Sequence, residues 1–196
     1  MTTPPTPTSP FRILVVCTGN ICRSVIAEHY LRHRMEALDP GGFEIASAGT
    51  GINPFLTPPA DIVDLAAAHR LEGIDGRVPR PLEREALRRS DLVLTATHEH
   101  IRQVLAEYPA ALRRSFTIRE FVLGASLADE EEDGAAAQRD PAALVREVGA
   151  LRSRVRLNQA LDIADPFGLG PEAYASMERE LVPLLDQIAD RLARRR

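Results

Sequence analysis

The sequence contains little cysteine and no long apolar run, and each of these absences excludes a class of protein; it also lacks lysine and tryptophan. Two cysteines in 196 residues, both in one short stretch, cannot form a disulfide scaffold, which favours a reducing, cytoplasmic setting. No stretch approaches the roughly 20 apolar residues of a membrane span, and we expect no signal peptide. The net charge of −4 gives no indication of a surface for nucleic acid or anionic membranes.

What the chain does contain is an alternation of short apolar runs with segments of helical periodicity. Such alternation is typical of an α/β domain in which parallel strands are covered by helices. We therefore predict a four-stranded, mostly parallel sheet with helices on both faces. Ligands of such sheets bind beyond the carboxyl ends of the strands. The predicted strands cover residues 11–16, 43–47, 91–95 and 116–118.

The length fits one domain, which we place at residues 11–196. The first ten residues are rich in proline and threonine and are predicted to form a disordered leader. Residues from about 125 to 157 differ from the rest, because they are rich in alanine and carry the acidic run Asp129–Asp133. We interpret them as an insertion that is solvated up to Asp140 and helical from Pro141. An acidic docking or regulatory segment is the alternative.

The most informative stretch runs from Val15 to Ser24 and reads VVCTGNICRS. Predicted strand 1 ends in it, and a helix is expected to begin near Arg23. Cys17 and Arg23 are separated by five residues, and Gly19 lets the backbone approach a ligand closely. Successive N–H groups in such a loop can converge on an anion, and the helix N-terminus adds positive charge. The stretch therefore predicts a phosphate-binding loop between strand 1 and helix 1.

The side chains of this loop suit nucleophilic chemistry on a bound phosphoryl group. Arg23 can bind two phosphate oxygens at once, and Cys17 should lose its proton readily in the positive field of the loop. Ser24 can donate a hydrogen bond to the sulfur, which favours the thiolate. In-line attack by that thiolate would give a phosphocysteine intermediate. We expect no metal and no cofactor, because the loop amides and Arg23 neutralise the charge.

The leaving oxygen needs a proton, and Asp165 is the best candidate donor in the sequence. It lies in a glycine-bounded loop between two predicted helices, and Pro166 biases its backbone toward an extended conformation. A carboxylic acid at this point can protonate the leaving group and then activate water. An Asp-Pro pair alone is more often an ordinary turn, so this interpretation depends on the loop at Cys17.

Three blocks of the chain resemble the low-molecular-weight protein tyrosine phosphatase family, and they occur in the family's order. They are VCTGNICRS at residues 16–24, SAGT at residues 47–50 and DPF at residues 165–167. The resemblance covers roughly residues 11–124 and 158–195. It implies an enzyme that acts on a phosphotyrosine-bearing protein, for example a tyrosine kinase, with inorganic phosphate as product and inhibitor.

The resemblance also implies a role for each matching residue. Cys17 would be the nucleophile, Arg23 the ligand of the phosphate and of the transition state, and Asp165 the general acid and base. Asn20 would hold the loop in shape, with Ser47 as its hydrogen-bond partner. The phosphate-binding loop itself would comprise Thr18, Gly19, Asn20, Ile21, Cys22, Arg23 and Ser24.

For Cys22 the resemblance implies that it protects the nucleophile from oxidation. Cys22 resembles the family's second loop cysteine, which can form a reversible disulfide with the nucleophile and protect it from over-oxidation.

Several residues around the predicted pocket depart from the family. Thr18 stands where the tyrosine phosphatases often have leucine. The loop after the SAGT block lacks the tryptophan or tyrosine often found there, and the aromatic pair that commonly follows the acid is reduced to one phenylalanine. We therefore predict Ile52, Phe55 and Phe167 to be the walls of the pocket. A phosphotyrosine ring would therefore meet a thinner wall.

Three other functions stay open. A related branch of the family removes phosphate from arginine and carries threonine at the position of Ile21, so the apolar Ile21 favours phosphotyrosine. Arsenate reductases of related fold need a further cysteine pair, which this chain lacks. A non-catalytic phosphate-binding module would lack the nucleophile, the arginine or the acid. No metal site is predicted, and His69, His98 and His100 are expected to be surface or helix-packing residues.

Overall fold

A computed structural model describes residues 9–131, 140–155 and 161–193, and its centre is a parallel four-stranded sheet. The strand order is β2-β1-β3-β4, and each neighbouring pair is parallel. The prediction of a mostly parallel sheet is therefore confirmed. The strands are β1 (Phe11–Cys17), β2 (Phe43–Gly49), β3 (Leu92–Thr95) and β4 (Ser115–Thr117).

Helices cover both faces of this sheet, as predicted. Several begin where the sequence supplies a suitable residue: Thr97 caps one by accepting a hydrogen bond from the His100 N–H, and Pro141 and Pro171 each open another. The described helices are α1 (Arg23–Leu38), α2 (Ala60–Ala68), α3 (Arg84–Arg89), α4 (His98–Glu107), a 3-10 helix (Pro109–Arg114), α5 (Ile118–Glu131), α6 (Pro141–Val155) and α7 (Pro171–Ala193).

Alternate residues of β1 face the two helical layers. Ile13 and Val15 belong to the larger apolar core, which includes residues of α1, α2, α5, α6 and α7. Leu14 and Val16 belong to a smaller core with α3 and α4. Because both faces are covered, β1 is buried along nearly its whole length, which is typical of a central parallel strand. This strand therefore delivers its carboxyl end to a fixed place.

The expected solvated insertion is wrong over its first residues. Helix α5 continues through Ala125 and Ala128, which are 0% and 3% exposed and belong to the larger core. A Cβ atom added at Gly124 would lie 2.7 Å from Cγ1 of Val148, so α5 and α6 approach each other closely. Small residues that suggested a solvated segment serve this close packing instead. Most of the predicted leader (residues 1–8) and residues 132–139 of the insertion lie outside the described residues.

Among the helices that the structure describes, none combines the length and the apolar character that crossing a membrane requires.

Candidate active site

The loop that follows β1 lies at the carboxyl edge of the sheet and is held there by the end of β2. The Thr50 N–H donates to the Cys17 carbonyl at 3.0 Å, and the Gly51 N–H donates to the Thr18 carbonyl at 3.0 Å. A Cβ atom added at Gly49 would lie 2.4 Å from the Thr18 carbonyl oxygen. Only glycine fits this contact. The SAGT block therefore contributes Gly49 for close packing against the loop, in addition to Ser47.

The Cys17 sulfur lies at the bottom of this loop, with a hydroxyl beside it. Its Sγ is 3.0 Å from Oγ of Ser24, and Cys17 is 2% exposed. Asn20 Nδ2 donates to the same Ser24 oxygen at 2.9 Å. Because that oxygen already accepts a hydrogen bond, the Ser24 hydroxyl can direct its own hydrogen toward the sulfur. Helix α1 begins next to the loop at Arg23 without a side-chain cap, so its positive end faces the same region.

Asn20 holds the loop in an unusual backbone conformation. Its φ is +54°, a region that few residues other than glycine adopt. The side chain donates from Nδ2 to Ser47 Oγ at 2.7 Å, and its Oδ1 accepts from the Arg80 N–H at 2.8 Å. Asn20 and Ser47 are thus in contact, as the resemblance implied. The asparagine connects β1, β2 and the loop that contains Arg80.

Behind this pair lies a buried ion pair that the sequence did not reveal. Ser47 donates to Glu28 Oε2 at 2.6 Å, and Arg77 Nη2 lies 2.5 Å from the same oxygen. Arg32 binds the other oxygen of Glu28, whose side chain is 1% exposed. Burial lowers the pKa of Arg77, and the Glu28 carboxylate opposes that shift. Glu28 falls one turn after Ser24, on a stretch of α1 that is buried on every side, but nothing in the sequence marks Arg77 as its partner.

Arg23 and Asp165 meet across the cavity although they are 142 residues apart. Arg23 Nη2 donates to Asp165 Oδ2 at 2.5 Å, and Nη1 donates to the Ile163 carbonyl at 2.9 Å. The Ile163 N–H in turn donates to the Ala96 carbonyl at 2.8 Å, which attaches this loop to the end of β3. Arg23 Nε is buried and has no hydrogen-bond partner among the described residues. It is therefore a donor available to an anion.

The phosphate-binding loop, residues 18–24, borders a cavity of about 180 Å³. Phe167 lines it, as predicted, but two other predicted wall residues do not. Phe55 is 92% exposed, and Ile52 packs against Gly49 instead. The Asn53 side chain accepts a hydrogen bond from the Phe55 N–H, so the chain turns here and brings Leu56 to the cavity. The lining residues are Cys17, Thr18, Gly19, Ile21, Cys22, Arg23, Gly51, Asn53, Leu56, Asp165 and Phe167.

Cys22, the second cysteine of the loop, lies in surroundings that favour its neutral form. Both Cys17 and Cys22 are free thiols, and Cys22 is 3% exposed. Burial raises the pKa of the Cys22 thiol to about 12, and the neighbouring Cys17 adds to that rise. Cys22 therefore keeps its proton at neutral pH.

In the part of the chain that is described, no three His, Cys, Asp or Glu side chains are grouped so that they could hold a metal ion.

His100, expected to be a surface or helix-packing residue, contacts the phosphate-binding loop. It is 4% exposed, and its Nε2 lies 2.9 Å from Thr18 Oγ1. Its Nδ1 lies 2.8 Å from Oγ1 of Thr97, the N-cap residue of α4. Nothing local in the sequence indicated that this histidine reaches the loop after β1.

Comparison with known proteins agrees with this geometry. Residues 12–133 match the family model of the low molecular weight phosphotyrosine protein phosphatases. The low molecular weight protein-tyrosine-phosphatase Etp of Escherichia coli K12 is 43% identical over 99 residues. That alignment covers 50% of this chain and 62% of Etp, so the chain spans less than two thirds of that relative.

Other relatives match along nearly the whole chain at lower identity. A protein-arginine-phosphatase of Geobacillus stearothermophilus is 27% identical over 187 residues, which are 93% of this chain and 97% of that protein. The solved structure of the YwlE arginine phosphatase from the same organism superimposes with a TM-score of 0.68 and 26% identity, covering 93% of each chain. The fold of the described residues is therefore one that solved phosphatases share.

Proposed function

Because the chain belongs to the low molecular weight phosphotyrosine protein phosphatase family, we propose that it hydrolyses phosphotyrosine in proteins through a phosphocysteine formed on Cys17. The observation that supports this most is the convergence of three groups on one small cavity: the Cys17 sulfur, the Arg23 guanidinium and the Asp165 carboxylate. Each suits one part of the reaction, namely nucleophile, anion ligand and proton donor.

In the first step, the Cys17 thiolate attacks phosphorus from the side opposite the leaving oxygen. The S–P bond forms as the P–O bond to the tyrosine breaks, and Asp165 gives its proton to the departing phenolate. The loop N–H groups, the positive end of α1 and Arg23 stabilise the charge on the other phosphoryl oxygens. The unpaired Nε and the Nη2 of Arg23 can bind two of these oxygens side by side.

Binding of the substrate also prepares the acid. The phosphate dianion competes with Asp165 for Arg23 and brings negative charge beside the carboxylate, which favours its protonated form. In the second step, the Asp165 carboxylate takes a proton from water as that water attacks the phosphocysteine. The S–P bond breaks, the Cys17 thiolate leaves with a hydrogen bond from Ser24, and inorganic phosphate is released. The same phosphate is expected to inhibit by binding the loop.

Ile21 is the main reason to favour phosphotyrosine over phosphoarginine. It is 5% exposed and lines the cavity beside Cys17. An apolar side chain there can pack against a phenyl ring, with Phe167 as a second apolar contact. A guanidinium in the same place would lose water without gaining a hydrogen-bond partner from Ile21.

Arginine phosphatase activity is the second candidate, because two relatives that align over 93% and 94% of this chain bear that name. In either case, the partner we propose is a phosphorylated protein; for a tyrosine phosphatase that protein is, for example, a tyrosine kinase. We propose one domain over residues 11–196. We also propose a cytoplasmic setting, since a reducing compartment keeps Cys17 available as a thiolate.

The test is a hydrolysis assay without metal that compares phosphotyrosine, phosphoserine and phosphoarginine peptides of one sequence. We expect turnover of phosphotyrosine, and an Ile21→Thr variant should gain activity toward phosphoarginine. Cys17→Ser should lose turnover by at least about 10⁴-fold while phosphate still binds. Faster hydrolysis of phosphoarginine than of phosphotyrosine by the unchanged protein would overturn the tyrosine assignment. Undiminished turnover by Cys17→Ser would overturn the mechanism.

A further inference from the structure

The contact between His100 and Thr18 joins the first turn of α4 to the phosphate-binding loop. Thr18 directly follows Cys17 and lines the cavity, whereas His100 lies 82 residues later and is 4% exposed. A buried polar side chain is held in place by its hydrogen bonds, since losing one leaves a group unpaired away from water. Here the histidine has a threonine hydroxyl at each ring nitrogen.

Both ring nitrogens of His100 form hydrogen bonds with threonine hydroxyls. Burial, together with the positive charge of Arg23, lowers the pKa of His100 to about 4, so the ring is neutral and has one donor and one acceptor. The ring therefore donates to one hydroxyl and accepts from the other, and its tautomer decides which. In either tautomer, Nε2 and Thr18 Oγ1 form a hydrogen bond.

We propose that His100 is a positioning residue that acts through Thr18 and holds the phosphate-binding loop in the conformation that closes around a phosphoryl group. The proposal rests on the proposed function for its catalytic consequence, but not for its effect on phosphate binding. Thr18 is the loop residue next to the nucleophile. Its methyl Cγ2 is close to Gly51, because a Cβ atom added at Gly51 would lie 3.7 Å from it. Fixing its hydroxyl therefore fixes one side of the loop against the end of β2.

Two substitutions of His100 separate its contact with Thr18 from its contact with Thr97, the N-cap residue of α4. His100→Gln places an amide near the position of Nε2 and can still donate to Thr18. His100→Asn is shorter and can reach only Thr97. We expect His100→Asn to weaken binding of inorganic phosphate, measured by calorimetry, by about three- to tenfold, the effect of one lost hydrogen bond. Its kcat/KM for p-nitrophenyl phosphate should fall by the same factor, and His100→Gln should retain most of both.

A double-mutant cycle with Thr18→Val gives the decisive result. In the Thr18→Val background, His100→Asn should cause no further loss of phosphate binding, although it can still lower the Tm. An equal loss in both backgrounds, or a lower Tm with unchanged phosphate affinity, would overturn the proposal. If the unchanged protein binds phosphate but hydrolyses no phosphotyrosine, the proposed function fails and the cycle still tests His100. If it binds no phosphate, both fail.

Discussion

The floor and the wall of the cavity are built in different ways. The floor, residues 17–24, consists largely of buried side chains whose polar groups bond to other parts of the protein: Asn20 is 1% exposed and Arg23 3%. The wall, formed by Leu56 and Phe167 with Phe55 next to it, is 36%, 48% and 92% exposed in that order. Apart from Thr18, which is exposed, and Gly19, which is partly buried, the floor is thus part of the interior, whereas the wall lies on surface loops.

This difference separates the chemistry from the choice of substrate. A change in the floor leaves a buried hydrogen-bonding group without its partner, which costs about 1–3 kcal/mol and moves the groups around it. A change in the wall removes an apolar group that is already partly in water, so the fold loses little. The reaction that the floor supports is therefore tied to the stability of the domain, while the wall can vary.

Asp165 connects the two regions, and of the substitutions that compare floor and wall, its replacement is expected to have the largest effect. Its loop belongs to the wall and its side chain is 47% exposed, yet it bonds to Arg23 of the floor. Asp165→Asn cannot supply a proton, so kcat for phenyl phosphate should fall by about 10²–10⁴-fold. The loss should be smaller for p-nitrophenyl phosphate, because p-nitrophenolate leaves without needing a proton. Steady-state assays with both substrates measure the difference.

A matched control lies three residues earlier on the same loop. Asp162 is also exposed, but it accepts from the backbone N–H of His98 at 2.8 Å and does not line the cavity. Asp162→Asn should change kcat by less than about threefold on both substrates. Equal losses on the two substrates in Asp165→Asn would contradict the role of Asp165 as an acid.

Glu28→Gln is the second prediction, and it tests the support beneath the floor. The change keeps the shape of the side chain but removes the charge that faces Arg77 and Arg32. Glu28 is 1% exposed, so the Arg77 charge is left buried without compensation. We expect a loss of about 3 kcal/mol in the free energy of unfolding. Urea unfolding followed by circular dichroism measures it.

The control for this change is an ion pair on the surface. Glu85 binds Arg88 and Arg89 on α3 and is exposed. Glu85→Gln should leave the unfolding curve unchanged within error, because exposed ion pairs contribute little. A loss as small for Glu28→Gln as for Glu85→Gln would show that the buried pair does not support the loop.

The sequence was sufficient to predict the fold class and to locate the floor along the chain, because both have local signatures. Apolar runs alternate with helical segments along the chain, and Cys17, Arg23 and Ser24 lie within eight consecutive residues. The contacts behind the floor have no such signature. Glu28 meets Arg77 across 49 residues, and Thr18 meets His100 across 82. Neither pair follows a helical or strand period, so only the folded topology brings them together.

The wall was harder to predict because side-chain direction in an irregular loop has no period. Phe55 was the natural choice by its size, yet the turn at Asn53 directs it outward and brings Leu56 inward. The alanines of α5 were misread for a different reason, namely the composition of the segment that contains them. Ala125 and Ala128 are small enough to pack closely in the core, but the acidic run that follows them suggested solvent.

Phe167→Ala and Phe55→Ala, compared with each other, are expected to have the smallest effects and test the wall directly. Phe167 lines the cavity, and an aromatic contact with a phosphotyrosine ring contributes about 0.5–1.5 kcal/mol, so its loss should raise KM for a phosphotyrosine peptide about two- to tenfold. Phe55→Ala should change KM by less than about twofold, since Phe55 is outside the cavity lining. Both variants should unfold within about 0.5 kcal/mol of the unchanged protein, because both rings are exposed. A larger rise in KM for Phe55→Ala would mean that the loop around Asn53, rather than the one after Asp165, contacts the substrate ring.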